Sequence, residues 1–252
     1  VGESVYFTAR DATSSYGESL WVSDGTAGGT RRLTPDGVGV FSWNGLAPLG
    51  SNVLFVAYDN TNGTSLWKTD GTADGTSWVV TADVSSLTAL GGEAVFRRYS
   101  GDHGNELWKT DGTAAGTVLV KDIRDGSYGS NPSGFTVVGS EIFFSADDGI
   151  SGRELWKSDG TEAGTVMVKD INAAVSGGFA YGSSPSDLTA VGDTLFFTAD
   201  DGVSGRELWQ SDGTSAGTAL VKEINAGTTT SPSSPGITPP EVPASAGARS
   251  LV

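Results

Sequence analysis

Two pairs of adjacent carboxylates, Asp147-Asp148 and Asp200-Asp201, open the near-identical stretches DDGISGREL and DDGVSGREL. Carboxylates beside loop carbonyls are what a hard cation takes, so these four residues are the calcium candidates. Their spacing matches no standard calcium loop, and Arg153 and Arg206 close by offer plain ion pairs. The favoured reading is solvated or paired acid, with no cofactor or metal expected beyond that calcium option. Asp11, Asp59 and Asp102 correspond loosely to the same place. His103, the single histidine, lies in SGDHGNEL with no evident partner and reads as a solvated loop residue. The chain has no cysteine, which excludes thiol nucleophiles, thiolate metal sites and disulfides, and one histidine cannot build a multi-histidine centre. No Gly-x-Ser-x-Gly elbow occurs, and no glycine-rich loop links a strand to a helix. On this reading the chain is not an enzyme and has no catalytic residues.

What must position these side chains is a repeat. SLWVSDGTAGGT, SLWKTDGTADGT, ELWKTDGTAAGT, ELWKSDGTEAGT and ELWQSDGTSAGT begin at residues 19, 65, 106, 154 and 207. Their tryptophans, Trp21, Trp67, Trp108, Trp156 and Trp209, follow one another at 46, 41, 48 and 53 residues. Periods of that size belong to four-stranded propeller blades. The fourth period splits into GFTVVG, EIFFSADD, GRELWKSDG and GTVMVKDI, four β-rich runs of strand length separated by Gly, Asp and Ser. Its second run, and its counterparts VYFTA, VLFVA, AVFRR and LFFTA, are apolar at nearly every position, so both faces of that strand must be covered. The expected fold is all-β: a five-bladed β-propeller of four-stranded antiparallel blades. A two-sheet sandwich or a β-solenoid is the competing architecture.

The Asp-Gly pairs Asp24-Gly25, Asp70-Gly71, Asp111-Gly112, Asp159-Gly160 and Asp212-Gly213 read as tight hairpin turns between third and fourth strands, because Gly takes left-handed backbone angles freely. The Thr that follows can bond locally to freed backbone groups. Each Trp reads as an apolar wedge between blades; the alternative is five open aromatic platforms for sugars. The first blade lacks most of its first strand, and a propeller abolishes the resulting edge by letting the other end of the chain supply it. Residues 234 to 238 are expected to do so, with ARSLV at 248 to 252 as the competing segment. The propeller then spans 1–238, and 239–252 is a Pro/Ser/Ala-rich tail or linker.

The spelling [ES]-L-W-x-[ST]-D-G-T-x-x-G-T resembles the bacterial ELWxxDGT-repeat family, found in large extracellular and surface proteins. The whole blade, as in SPSDLTAVGDTLFFTADDGVSGRELWQSDGTSAGTALVKEI, is similar in strand order to TolB-like propeller repeats. The resemblance covers residues 1 to about 226 and implies a propeller at an extracellular or cell-surface location. It implies no activity, because the family is defined by its repeat. The net charge of −15 repels phosphate backbones and anionic lipid, so nucleic acid is not an expected partner. No apolar run approaches the ~20 residues of a membrane-spanning helix, so direct membrane insertion is not expected.

A distinctive site belongs where the repeat breaks. The connection PDGVGVFSWNG carries Phe41 and Trp43, and NAAVSGGFAYGSSPSD carries Phe179 and Tyr181. Aromatics among Gly and Ser can stack on a sugar or dock a protein, and packing over the blade edge is the plainer alternative. Trp78 takes the place of Leu119, Met167 and Leu220 and is expected partly exposed at the rim. Three functions follow. The first is a non-catalytic extracellular module that binds a protein partner or builds a surface assembly. The second is a lectin with repeated inter-blade sugar sites. The third is a propeller glycoside hydrolase with a carboxylate pair in the channel.

Overall fold

The computed structural model describes residues 3–12, 16–41 and 45–224. Among them the regular structure is entirely β: five consecutive antiparallel sheets and a two-stranded ribbon between the fourth and the fifth. Sheet I comprises Val5–Ala9, Ser19–Ser23 and Arg31–Arg32; sheet II comprises Leu46–Leu49, Asn52–Asp59, Gly63–Thr69 and Ser77–Thr81, with Gly39–Val40 added beside Asn52–Asp59. Sheet III is Val84–Leu90, Glu93–Ser100, Gly104–Thr110 and Val118–Lys121; sheet IV is Ser133–Val138, Glu141–Asp147, Arg153–Ser158 and Val166–Lys169. Sheet V is Ser186–Val191, Thr194–Asp200, Arg206–Ser211 and Ala219–Lys222. Sheets III to V are four-strand meanders in chain order, as the four β-rich runs of each period require. Sheet I has three described strands, and residues 234–238, expected to complete it, lie outside the described residues.

Each sheet packs face to face on the next. Val95 and Leu107 of sheet III meet Phe144 and Trp156 of sheet IV, and Phe143, Leu155 and Val168 of sheet IV meet Phe197 and Trp209 of sheet V. Sheets I and II, and II and III, are joined in the same way. The second strands of sheets II to IV are therefore sealed on both sides over much of their length, with Phe55, Phe96 and Phe144 fully buried, which accounts for their unbroken apolar spelling, whereas that of sheet V alternates between buried and partly exposed positions. Burying one such side chain contributes about 1.5–3 kcal/mol. Trp67, Trp156 and Trp209 are buried against the preceding sheet, as wedges. The outward face of sheet V is more open: Val221 is 43% exposed where its counterpart Val168 is 6% exposed. Among the described residues the core clusters join neighbouring sheets, and none joins sheet I to sheet V.

The repeated turn is larger than the two-residue hairpin its Asp-Gly pair suggests. Seven residues, 159 to 165, separate Ser158 from Val166 in sheet IV, and a fixed set of side chains fills the loop. Asp159 Oδ1 accepts from the Thr161 backbone N–H at 2.8 Å and its hydroxyl at 2.7 Å, and Thr161 Oγ1 accepts from Gly164 N at 3.0 Å. Thr165 spends its hydroxyl proton on the Thr161 carbonyl, so Ser158 donates to Thr165 and accepts from Gly160 N. The same bonds recur in the other four turns, so [ST]-D-G-T-x-x-G-T spells one closed hydrogen-bond circuit.

These turns also clasp neighbours. Lys121 Nζ reaches the Thr165 carbonyl of the next sheet at 2.9 Å, and Lys169 Nζ reaches the Thr218 carbonyl at 2.9 Å. From other positions of the repeat, Arg31 and Lys68 reach the carbonyls of Gly71 and Gly112 in the next sheet's turn.

Candidate functional site

In a meander of this order the motif turns lie at one end of every sheet. The loops between second and third strands share the other end with the connections to the next sheet, and that loop face carries the repeat breaks. The connection from sheet IV to sheet V leaves at Asp170 and returns at Ser183. One buried carboxylate ties both of its ends down: Glu154 accepts from Ile171 N and Asn172 N on departure, and from Ser183 N and Oγ on return. Glu106 does the same for the connection from sheet III, through Ile123 N, Arg124 N and Ser130. Burial outweighs these donors and raises both carboxyls above the ordinary glutamate range. Ser65 stands at the same place where the next sheet begins almost at once, Thr81 being followed by Val84, and no clamp is needed.

Between its anchored ends the sheet IV connection folds into a small ribbon, Val175–Ser176 against Phe179–Ala180, turning through Gly177 and Gly178 at φ 61° and 85°. Both glycines adopt a left-handed backbone that other residues avoid. The ribbon lifts Phe179 into solvent, 80% exposed, beside Ile150 at 81%. These two share a recess of about 130 Å³ with the Arg124–Asp147 ion pair. Tyr181, 64% exposed, borders a neighbouring cleft of about 360 Å³ with Asn172 and Asp200. Phe179 and Tyr181 thus stand on the loop face at adjoining recesses. Phe41 packs against the core between sheets II and III, and Trp43 lies outside the described residues. Trp78 is partly exposed on the last strand of sheet II, opposite Trp67.

The acidic pairs do turn-forming work. Asp147 Oδ1 accepts from Gly149 N, while Asp148 Oδ1 accepts from Ile150 N and Ser151 N; Asp200 and Asp201 repeat the pattern on Gly202, Val203 and Ser204. Among the described residues no three His, Cys, Asp or Glu side chains gather as a metal site would require. Arg153 and Arg206 make no direct ion pair with the acidic pairs; their guanidiniums donate to carbonyls and hydroxyls at the starts of the first strands, while Asp147, across the strand from Arg153, still acts on it through its charge. His103, read from sequence as unpartnered, holds Asp122 at 2.6 Å through Nδ1, and that bond raises its proton affinity. The spelling SGDHGNEL could not show this, because Asp122 enters from the end of the last strand of the sheet. Ile150 was also missed: it occupies a variable position of DDGxSG, and only the neighbouring ribbon makes it part of a patch.

No family model matches this chain, and no curated protein matches it. Solved structures do. A puromycin hydrolase is similar at 14% identity and TM-score 0.53, over 86% of this chain and 34% of its own. A prolyl endopeptidase is similar at 8% identity and TM-score 0.54, over 86% of this chain and 32% of its own. TolB from Acinetobacter baumannii also matches, at 13% identity, over 84% of this chain and 50% of its own, with a TM-score of 0.48. The chain spans about a third of the length of the first two. At such identities the likeness shows the fold, an all-β array of propeller-like sheets. It also overturns the expectation that the chain stands outside enzymes, because the same array makes up a third of a hydrolase and of an endopeptidase.

Proposed function

We propose that the chain is an extracellular or cell-surface β-propeller of the ELWxxDGT-repeat kind that docks a protein partner, or builds a surface assembly, through the loop face of sheets IV and V. Five blades make up the proposed scaffold. The observation that supports this reading is the pair Ile150 and Phe179, 81% and 80% exposed side by side, one on the loop after Asp148 and one on the ribbon, with Tyr181 exposed just past the ribbon, whose connection Glu154 anchors at both ends. Exposed apolar patches on otherwise polar surfaces mark association sites, and aromatic side chains dominate their energetics. Copurification from the native source tests it. A partner recovered with the wild-type chain and lost with Ile150→Ser/Phe179→Ser supports docking here, whereas one held equally by both removes this face from the function.

A carbohydrate-binding reading rests on the Tyr181 cleft, where an aromatic ring stands beside the Asn172 amide and the Asp200 carboxylate. A glycan array probed with and without calcium decides it, and silence in both conditions rejects it.

A further inference from the structure

The connections that follow sheets III and IV share one plan, apart from the ribbon inserted in the second. Arg124 and Asn172 are equivalent residues, because each donates its backbone N–H to the buried glutamate of its own sheet, Glu106 or Glu154. Tyr128 and Tyr181 are equivalent too: both are exposed, and each stands just before a left-handed glycine, Gly129 at φ 64° and Gly182 at φ 65°. Asp147 and Asp200 complete the correspondence, each accepting through Oδ1 from the backbone N–H of Gly149 or Gly202. The loop face therefore carries the same niche twice, once on sheet IV and once on sheet V.

In the niche on sheet IV the protein itself fills the space between tyrosine and aspartate. The Arg124 guanidinium donates to Asp147 Oδ2 at 3.0 Å and lies 5.5 Å from the centre of the Tyr128 ring, and its Nε would stand 2.9 Å from a Cβ placed on Gly149. What is left is the recess of about 130 Å³. In the niche on sheet V the equivalent residue is Asn172, whose short amide closes on its own surroundings: Nδ2 donates to the Gly182 carbonyl at 3.4 Å and Oδ1 accepts from Ala174 N at 3.2 Å. The cation is gone, and the cleft beside Tyr181, Asp200 and Gly202 holds about 360 Å³. Among the described residues no ion pair uses Asp200. Arg206 does not make up the difference. Its guanidinium donates to Ser184, Ser186 and Thr198, just as Arg153 donates to Ser130, Asn131 and Ser145 beside the niche that holds Arg124, so this second arginine is common to both.

We propose that the Tyr181 cleft is a socket for an arginine side chain of the docked protein partner, which enters where Arg124 sits in the niche on sheet IV. The proposal rests on the loop-face docking reading and names the chemistry that its partner must carry. A guanidinium pairs with a carboxylate and lays its flat face on an aromatic ring, and Arg124 shows both contacts in the equivalent place. The incoming group meets the Asp200 carboxylate and the Tyr181 ring, while Ile150 and Phe179 in the adjoining recess take the apolar part of the partner. Charge favours the same occupant, since a chain with 30 acidic and 15 basic residues attracts basic segments. A neutral sugar in this cleft would leave the Asp200 charge without a counterpart.

The test is an NMR titration of the full chain with the capped tripeptide acetyl-Gly-Arg-Gly-amide and with its citrulline counterpart, which has nearly the same shape and no charge. The backbone amides of Gly182 and Gly202 report on the cleft. The arginine peptide is expected to bind there at least about tenfold more tightly than the citrulline peptide, and Asp200→Asn, which keeps an acceptor oxygen for Gly202 N, to lose about tenfold of that affinity. Asn172→Arg, which installs the guanidinium of the niche on sheet IV, is expected to remove the binding. Melting curves verify the fold of both variants, and Asp200→Asn decides the matter if Asn172→Arg fails to fold. Absence of binding by the arginine peptide, equal binding of the citrulline peptide, or full affinity in Asp200→Asn overturns the proposal. The titration needs no native partner, so its failure is distinct from that of the docking reading, which copurification with Ile150→Ser/Phe179→Ser decides.

Discussion

A Cβ placed on Gly164 would stand 2.1 Å from Asp159 Oδ1, and every second glycine of the repeated turn has this relation to its aspartate. The carboxylate occupies the space because it is fixed by two bonds from Thr161. Gly164→Ala must therefore expel the carboxylate or shift the loop backbone, at about 1–3 kcal/mol. Gly28→Ala is the control: it has open space and no left-handed backbone, and should stay within about 0.5 kcal/mol of wild type. Urea denaturation of the two variants checks the contrast.

The same bonds govern acid stability. Hydrogen bonds from Thr161, first its hydroxyl and then its backbone N–H, hold the Asp159 carboxyl below its ordinary value of 3.8, and the four other turn aspartates are lowered likewise. A depressed folded-state value gives stability that is present above 3.8 and lost as pH falls through the folded value. Melting curves should accordingly drop below about pH 4. Asp159→Asn keeps the acceptor oxygen but does not titrate, so its acid drop should be shallower than that of the wild type.

Glu154 predicts the opposite slope. Its carboxyl is raised by burial above 4.5, so its contribution is full below 4.5 and declines as pH rises through the folded value. Glu154→Gln removes that titration and flattens the slope. It also turns an amide N–H₂ toward backbone N–H groups that need an acceptor, costing about 1–3 kcal/mol. Hydrogen exchange should then accelerate at Ile171, Asn172 and Ser183, the amides the carboxylate holds.

Much of this was legible in the spelling, and for a physical reason. Strand runs, turns and wedging tryptophans are local features, and five near-copies average out the noise of any one. The turn was misjudged because Asp-Gly alone points to a two-residue hairpin, while the second Gly and last Thr are what enlarge it. Glu106 and Glu154 before Leu-Trp were visible but meant nothing until the following connections gave their carboxylates ligands. His103–Asp122 and the arginines beside the first strands depend on contacts between separate elements, which no local pattern encodes. Trp43 and residues 234–238 lie outside the described residues.

Closure of the ring makes a prediction about two lysines. Lys169 of sheet IV donates to the Thr218 carbonyl of sheet V, and its ammonium lies 5.9 Å from the Trp209 ring. Lys222 occupies the same place in sheet V, and Thr30 of sheet I is the counterpart of Thr218. If sheet I follows sheet V as sheet V follows sheet IV, the Lys222 ammonium meets the Thr30 carbonyl. Lys222→Met should then cost about as much as Lys169→Met, roughly 1–2 kcal/mol, since a charged hydrogen bond is lost while the apolar stem remains. Thermal denaturation of the two single variants compares these costs directly. A loss at Lys169 with none at Lys222 would show that sheets I and V do not meet, and the five-bladed ring would have to be abandoned.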